Sequence, residues 1–181
     1  MVHMFQIRND LEMVALLQKE PKHLRQIAKE LNIPLTTVMR LSRSLVDESV
    51  LDFREIGKSK QFFLKDTLES LVYEHMAEHY KKLKILQKPL IRKVVQEVLE
   101  IAKENQLIIL FGSYAKGLED KDSDIDLYVE TKSTVLKKKL ESISDKLSVK
   151  IGKFNGDSAL AKEIIKNHVI IQNVEGYFNL L

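Results

Sequence analysis

The chain has 181 residues, 44% of them hydrophobic, which is enough to bury a core in one large or two small domains and excludes a disordered chain. With no cysteine there is no disulfide framework and no thiolate nucleophile or thiolate metal site, and a net charge of +3 neither requires nor forbids a nucleic-acid partner. The opening residues, Met1 to Arg8, place no long apolar stretch behind their charges, and no later run approaches the roughly 20 apolar residues of a membrane span, so a cytoplasmic protein is expected.

Asn9 or Asp10 is expected to cap a first helix that gathers Leu11, Val14, Ala15, Leu16 and Leu17 on one face and stops before Pro21. A second helix, over residues 24–31, turns Leu24, Ile27, Ala28 and Leu31 inward and breaks at Asn32-Ile33-Pro34. A third opens near Leu35-Thr36 and carries Val38, Leu41, Leu45 and Val46 at helical spacing, leaving Thr36, Thr37, Arg40, Arg43 and Ser44 on the other face. Two helices joined by a tight turn make a helix-turn-helix. Residues 51–55 and 60–64 read as short strands around Ile56-Gly57-Lys58-Ser59, a glycine-containing hairpin.

The order of three helices and a hairpin, with QIAKELNIPLTTVMRLSRSL followed by VLDFREIGKSKQFFL, resembles the winged helix-turn-helix domains of prokaryotic transcription regulators. The resemblance covers roughly the first third of the chain. It implies that the third helix enters a major groove, with Thr36, Thr37 and Arg40 reaching base edges and Arg43, Lys58 and Lys60 contacting phosphates. Asp47, Glu48, Asp52 and Glu55 lie nearby and dilute the positive field. Such regulators gain affinity by pairing half-sites, so a homodimer is expected if DNA is the target.

Residues 66–104 are helix-compatible apart from Pro89. Asp66 or Thr67, with Ser70, offers a cap, and Leu68, Leu71, Val72, His75, Met76 and Tyr80 form a stripe. This first stretch reads as a linker or dimerisation helix. Pro89 suits the first turn of a new helix, whose Leu90, Ile91, Val94, Val95, Val98, Leu99 and Ala102 look like a core face.

The apolar run Leu107-Ile108-Ile109-Leu110-Phe111 then closes on a Gly112-Ser113 turn, and after a polar loop comes Asp124-Ile125-Asp126-Leu127-Tyr128-Val129. Side chains two apart on a strand share a side, so Asp124 and Asp126 aim both carboxylates at one point while Ile125, Leu127 and Val129 face a core. Paired carboxylates suit Mg²⁺, which is bound through one or two of them together with phosphate oxygens and waters. A residue without Cβ lets backbone N–H groups approach a phosphate, and a serine hydroxyl can donate to it.

Gly112-Ser113, ten residues from Tyr114 to Ser123, and then Asp124-x-Asp126 resemble the signature of polymerase-beta-type nucleotidyltransferases, most closely the minimal ones, and LFGSYAKGLEDKDSDIDLYVE agrees along its length. The resemblance implies that Gly112 and Ser113 hold the triphosphate of ATP or another NTP, with Lys116 available to phosphate. It also implies that Asp124 and Asp126 are catalytic and bind two Mg²⁺ ions for transfer at the alpha-phosphorus. Asp120 and Asp122 are read as loop charge. The family normally adds a third carboxylate on a later strand. Here a helix over residues 133–147 leads into a strand over 147–154 that puts Lys150 where the acid is expected. Asp157 could substitute only if its loop folds back. That departure bears on catalysis more than on nucleotide binding.

Residues 159–165 read as a helix, 169–171 as a short apolar strand, and 174–181 as a segment packed on the sheet edge, with His168 a polar cap or a residue approaching the site. The expected fold class is α+β: a winged helix-turn-helix over residues 1–66, a helical linker over 67–87, and a nucleotidyltransferase-like α/β domain with a small mixed sheet over 88–181. Two functions fit. One is an enzyme that transfers NMP to a hydroxyl of a small molecule or of a partner protein, as the minimal nucleotidyltransferase antitoxins do with a toxin. The other is a DNA-binding transcriptional regulator whose nucleotidyltransferase-like domain binds nucleotide without turnover.

Overall fold

The computed structural model describes residues 5–180. The chain divides into two compact units, one ending at Tyr80 and the other beginning at Lys81.

In the first unit, α1 (Asn9–Leu17) buries Leu11, Met13, Val14 and Leu17. Its N-cap is Arg8, without a side-chain cap, rather than Asn9 or Asp10. Asp10 is instead engaged by the Arg8 guanidinium, through Nη2 at 2.6 Å and Nε at 3.0 Å. A two-residue strand, β1 (Lys22–His23), follows. Two residues carry no periodic signal, and the strand exists because it pairs with a later one.

The N-cap of α2 (Leu24–Leu31) is His23, whose backbone N–H donates to Gln26 Oε1 at 2.9 Å. Asn32 ends the helix in the left-handed conformation, φ 52°, as an asparagine after a helix readily does. Pro34 precedes α3 (Leu35–Asp47), which buries Val38, Ser42 and Leu45. The strands β2 (Leu51–Ile56) and β3 (Ser59–Leu64) are a little longer than expected, because Ile56 pairs with Ser59 across a two-residue turn, Gly57-Lys58. Gly57 there has φ +62°. The sheet order is β1-β3-β2. Three helices, with a strand before the second and a hairpin after the third that pairs back onto it, form a winged helix. Its core gathers Leu11, Val14, Ile27, Val38, Leu45 and Phe62.

Thr67 caps α4 (Leu68–Ile85): its hydroxyl accepts from the Ser70 N–H at 3.2 Å and donates to Ser49 O at 2.8 Å. The inward residues include Ser70, Ala77, Glu78 and Tyr80, with Ala77 and Tyr80 joining the core of the first unit. The apolar stripe of Leu68, Leu71, Val72 and Met76 is exposed, Leu68 to 79%.

The second unit holds α5 (Pro89–Ile101), with Pro89 at the start where its missing N–H costs nothing. A mixed sheet follows, built from β4 (Ile108–Phe111), β5 (Ile125–Glu130), β6 (Leu147–Gly152) and β7 (Val169–Gln172) in the order β6-β5-β4-β7. Only β5 and β6 run parallel. Alternation sorts the side chains to two faces. Ile108, Leu110, Ile125, Leu127, Val129 and Val149 pack against Ile91, Val94, Val95 and Val98 of α5 and Leu140 of α7 (Thr134–Glu141). On the other face Leu107, Ile109, Phe111, Tyr128 and Ile170 meet Ala161 and Ile164 of α8 (Ala159–Lys166) and Val174 and Tyr177 of α9 (Val174–Phe178).

Three expectations need correction. The segment after Phe111 is a one-turn helix, α6 (Gly112–Lys116), rather than an open turn. The helix after Ser133 ends at Glu141, not near 147, since Ser142 to Lys146 turn so that Leu147 can enter β6. Residues 174–178 form a helix on the face of the sheet rather than at its edge, because Tyr177, 2% exposed, fills the space beside Phe154. Leu181 lies outside the described residues. Among them, no helix is long and apolar enough to cross a membrane.

Candidate nucleotide site and nucleic-acid face

Phe111, the last residue of β4, pairs with Asp126 on β5, and the chain turns at once into α6. Gly112 takes φ +71°, and a Cβ there would overlap Asp126 Oδ2 and stand 3.1 Å from Asp126 Cγ. No other residue leaves this space open, so the glycine both makes the turn and seats the carboxylate. Ser113 is half-buried next to it, and its carbonyl accepts the Leu118 N–H at 3.0 Å. Gly117, φ +68°, ends α6.

Asp124 is exposed and stands one residue before β5, while Asp126 is half-buried within it. Burial pushes the Asp126 carboxyl above the usual range, the Ser148 hydroxyl counters by donating to it, and the charge of Asp124 pushes the same way as burial. Lys150 pulls it down and Glu163 raises it. The two aspartates are therefore near neighbours in a site that resists holding two bare negative charges.

The parallel register places Ser148 opposite Asp126 and Lys150 opposite Tyr128. Ser148 and Lys150 thus stand on the face that carries Asp126, while Leu147 and Val149, alternating with them, enter the opposite core. Lys150 is exposed and makes no ion pair among the described residues. Lys116, on α6, is paired with Glu163 of α8 at 2.9 Å. Ser148 was legible only through the parity of β6, and Glu163 had no local signal, since α8 is far along the chain from the motif.

Other charges near the motif are structural. Asp120 is fixed rather than loose: it accepts the Ser123 hydroxyl at 2.9 Å and the Asp122 N–H at 3.0 Å. Those bonds, the Ser123 hydroxyl foremost, hold its carboxyl below the usual range. Lys88 and Glu119 form an ion pair that ties this loop to the start of α5. Asp157 is exposed in the loop after β6, its N–H donating to Asn155 Oδ1. His168 donates through Nδ1 to Ile164 O, 2.9 Å away, and its ring lies 4.7 Å from that of Tyr177, so it links the end of α8 to α9.

No group of three or more His, Cys, Asp or Glu side chains is arranged to hold a metal ion among the described residues. Two carboxylates, completed by phosphate oxygens and waters, fit one Mg²⁺. On β6 the residue two past Ser148 on the same face is Lys150, a cation, and β6 itself adds no carboxylate to the two.

In the first unit, Thr36, Arg40 and Arg43 are exposed on α3 at intervals of four and three residues, one helical face, with Thr37 partly covered. Lys58 is at the tip of the wing. Lys60 lies over the Phe53 ring, 3.7 Å from its centroid, and its carbonyl meets His23 Nδ1 at 2.9 Å. The structure thus presents the six residues read from the sequence on two exposed elements of one winged helix.

Residues 91–174 match the family model for a nucleotidyltransferase domain. That span holds β4, α6, β5 and β6, and with them Gly112, Ser113, Asp124, Asp126 and Lys150. No curated protein matches the chain in sequence. Among solved structures, the adhesin competence repressor AdcR from Streptococcus pyogenes is 22% identical over 48% of this chain, with a TM-score of 0.39. The chain spans 65% of AdcR's length. A variant of ZitR from Lactococcus lactis is 16% identical over 55% of this chain and 75% of its own, TM-score 0.38. A toxin-antitoxin structure with AMP-PNP is 25% identical over 56% of this chain and 77% of its own, TM-score 0.35.

Proposed function

We propose that the second unit is a polymerase-beta-type nucleotidyltransferase that binds ATP or another NTP with Mg²⁺, and that the first unit binds DNA. One observation carries the nucleotide reading. Gly112, lacking a Cβ, lets the Asp126 carboxylate lie against the backbone where β4 becomes α6, with Asp124 just ahead on the same chain segment. Backbone and carboxylates are then adjacent, as a metal-bound triphosphate requires. Asp124 and Asp126 hold the cation, and Gly112, Ser113 and Lys116 hold phosphate, Lys116 after exchanging its bond to Glu163. Bound Mg²⁺ would neutralise charge on the phosphate oxygens. The activity read from this arrangement is transfer of NMP to a hydroxyl of a protein or small molecule, with pyrophosphate leaving.

Lys150 favours a second reading, a transcriptional regulator that binds nucleotide without transfer, since a cation cannot take the proton of an attacking hydroxyl. Under either reading residues 1–66 contact DNA, with Thr36, Thr37 and Arg40 at bases and Arg43, Lys58 and Lys60 at phosphates. Residues 67–87 serve a homodimer that aligns two half-sites, and residues 88–181 take the nucleotide.

Calorimetry with ATP and Mg²⁺ tests the site: Asp124→Ala/Asp126→Ala should lose binding that the wild type shows, and equal affinity in both rejects the metal claim. Labelled NTP with candidate acceptors separates the two readings, because pyrophosphate released no faster than by the double variant leaves only the regulator.

A further inference from the structure

On β6 the position expected to carry a carboxylate carries a lysine, and the register decides where that lysine goes. Ser148 stands opposite Asp126, and Lys150 stands opposite Tyr128, one step along the same face of the sheet. The ammonium is exposed and makes no ion pair among the described residues. The other cation at this site, Lys116, is already held by Glu163. A lysine without an ion pair, one step along the face that carries Asp126 and on a strand with no acid of its own, is placed to supply positive charge where the resemblance would have an acid bind a second cation.

We infer that Lys150 is a polyphosphate-binding residue that replaces the second metal ion, so that the site takes a nucleoside triphosphate with a single divalent cation on Asp124 and Asp126. This rests on the nucleotide-binding reading above. An ammonium is a compact point charge with three donors, suited to a phosphate oxygen, and it needs no protein ligands of its own. A lysine where the resemblance expects a carboxylate differs from it by two units of charge, in the direction that compensates for an absent divalent ion.

The test measures binding to the whole chain and does not depend on turnover. ATP and AMP affinities are determined with Mg²⁺ for wild type, Lys150→Gln, Lys150→Arg, Lys150→Asp and Asp124→Ala/Asp126→Ala, and bound Mn²⁺ per chain is counted by electron paramagnetic resonance in saturating ATP. The wild type should hold one Mn²⁺. Lys150→Gln should weaken ATP by about tenfold or more, the size of a charge-assisted phosphate bond, while AMP changes little. Lys150→Arg should stay within about threefold of wild type, since it keeps the charge. Lys150→Asp should bind a second Mn²⁺. Because residue 150 is exposed, the variants should melt with the wild type. ATP affinity unchanged in Lys150→Gln, or two Mn²⁺ in the wild type, overturns the role of Lys150 and leaves the nucleotide site standing. A wild type that binds no ATP overturns both.

Discussion

The backbone of Gly112 and the carboxylate of Asp126 occupy adjoining space so closely that a methyl group on one would overlap an oxygen of the other. The first belongs to the turn between β4 and α6 and the second to the neighbouring strand, so the antiparallel pairing of Phe111 with Asp126 brings them together. Gly112→Ala should therefore be felt twice. The left-handed backbone at φ +71° and the displaced carboxylate together should cost about 1–3 kcal/mol in thermal or urea unfolding. Mg²⁺-dependent ATP binding should fall with it. A variant that binds ATP as the wild type does would show that the seat of Asp126 is not part of the nucleotide site.

The raised carboxyl of Asp126 has a definite sign in stability. A folded-state pKa above the unfolded value means that the folded chain binds the proton more tightly. Stability from this group is then full below the unfolded value, about pH 4, and is lost as the pH rises through the folded value. Without metal, Asp126→Asn should raise the melting midpoint at pH 7 by about 1–3 °C and leave it unchanged at about pH 3.5. A lower midpoint at pH 7 would mean that the carboxylate is net stabilising. Divalent-ion binding to the wild type should weaken on acidification at a higher pH than for an ordinary aspartate, because the ion and the proton compete.

On the winged helix, Arg40→Ala/Lys58→Ala removes one exposed cation from α3 and one from the wing tip. Binding to duplex DNA should weaken by about 10- to 100-fold at moderate salt, and the slope of log affinity against log salt should flatten by about one for each phosphate no longer neutralised. Equal affinity for unrelated sequences in the wild type would remove a specific operator, though not the electrostatic face.

The exposed stripe of α4 gives the dimer a measurable surface. Val72→Asp/Met76→Asp places two charges among Leu68 and Leu71, none of them buried in the single chain, so the fold should be retained. If two copies pair through this helix, light scattering should give twice the monomer mass for the wild type and the monomer mass for the variant. A monomeric wild type would reject the homodimer.

Much of this protein was legible because its signals are local. Helical spacing in α2 and α3, a glycine turn between two apolar-rich strands, Pro89 opening α5, and Asp124-x-Asp126 after an apolar strand are all fixed by residues close together in the chain. The two-residue β1 was not, since it is held by pairing with Phe62 and Gln61, about 40 positions away. The early end of α7 was also hidden, because the turn into β6 is set by the sheet that Leu147 must join.

Sequence alone determined which residues could do chemistry: a glycine and a serine after one strand, two aspartates beginning the next, and a lysine where an acid was expected. Tertiary structure alone decided what each of them faces. Pairing of β4 with β5 pressed Gly112 against Asp126, and parallel pairing of β6 set Ser148 and Lys150 on the same face. Packing of α8 brought Glu163 to Lys116 across 47 positions, a meeting that no spacing rule contains. Strand parity is a property of one segment, whereas its neighbours across a sheet depend on the register of the whole unit.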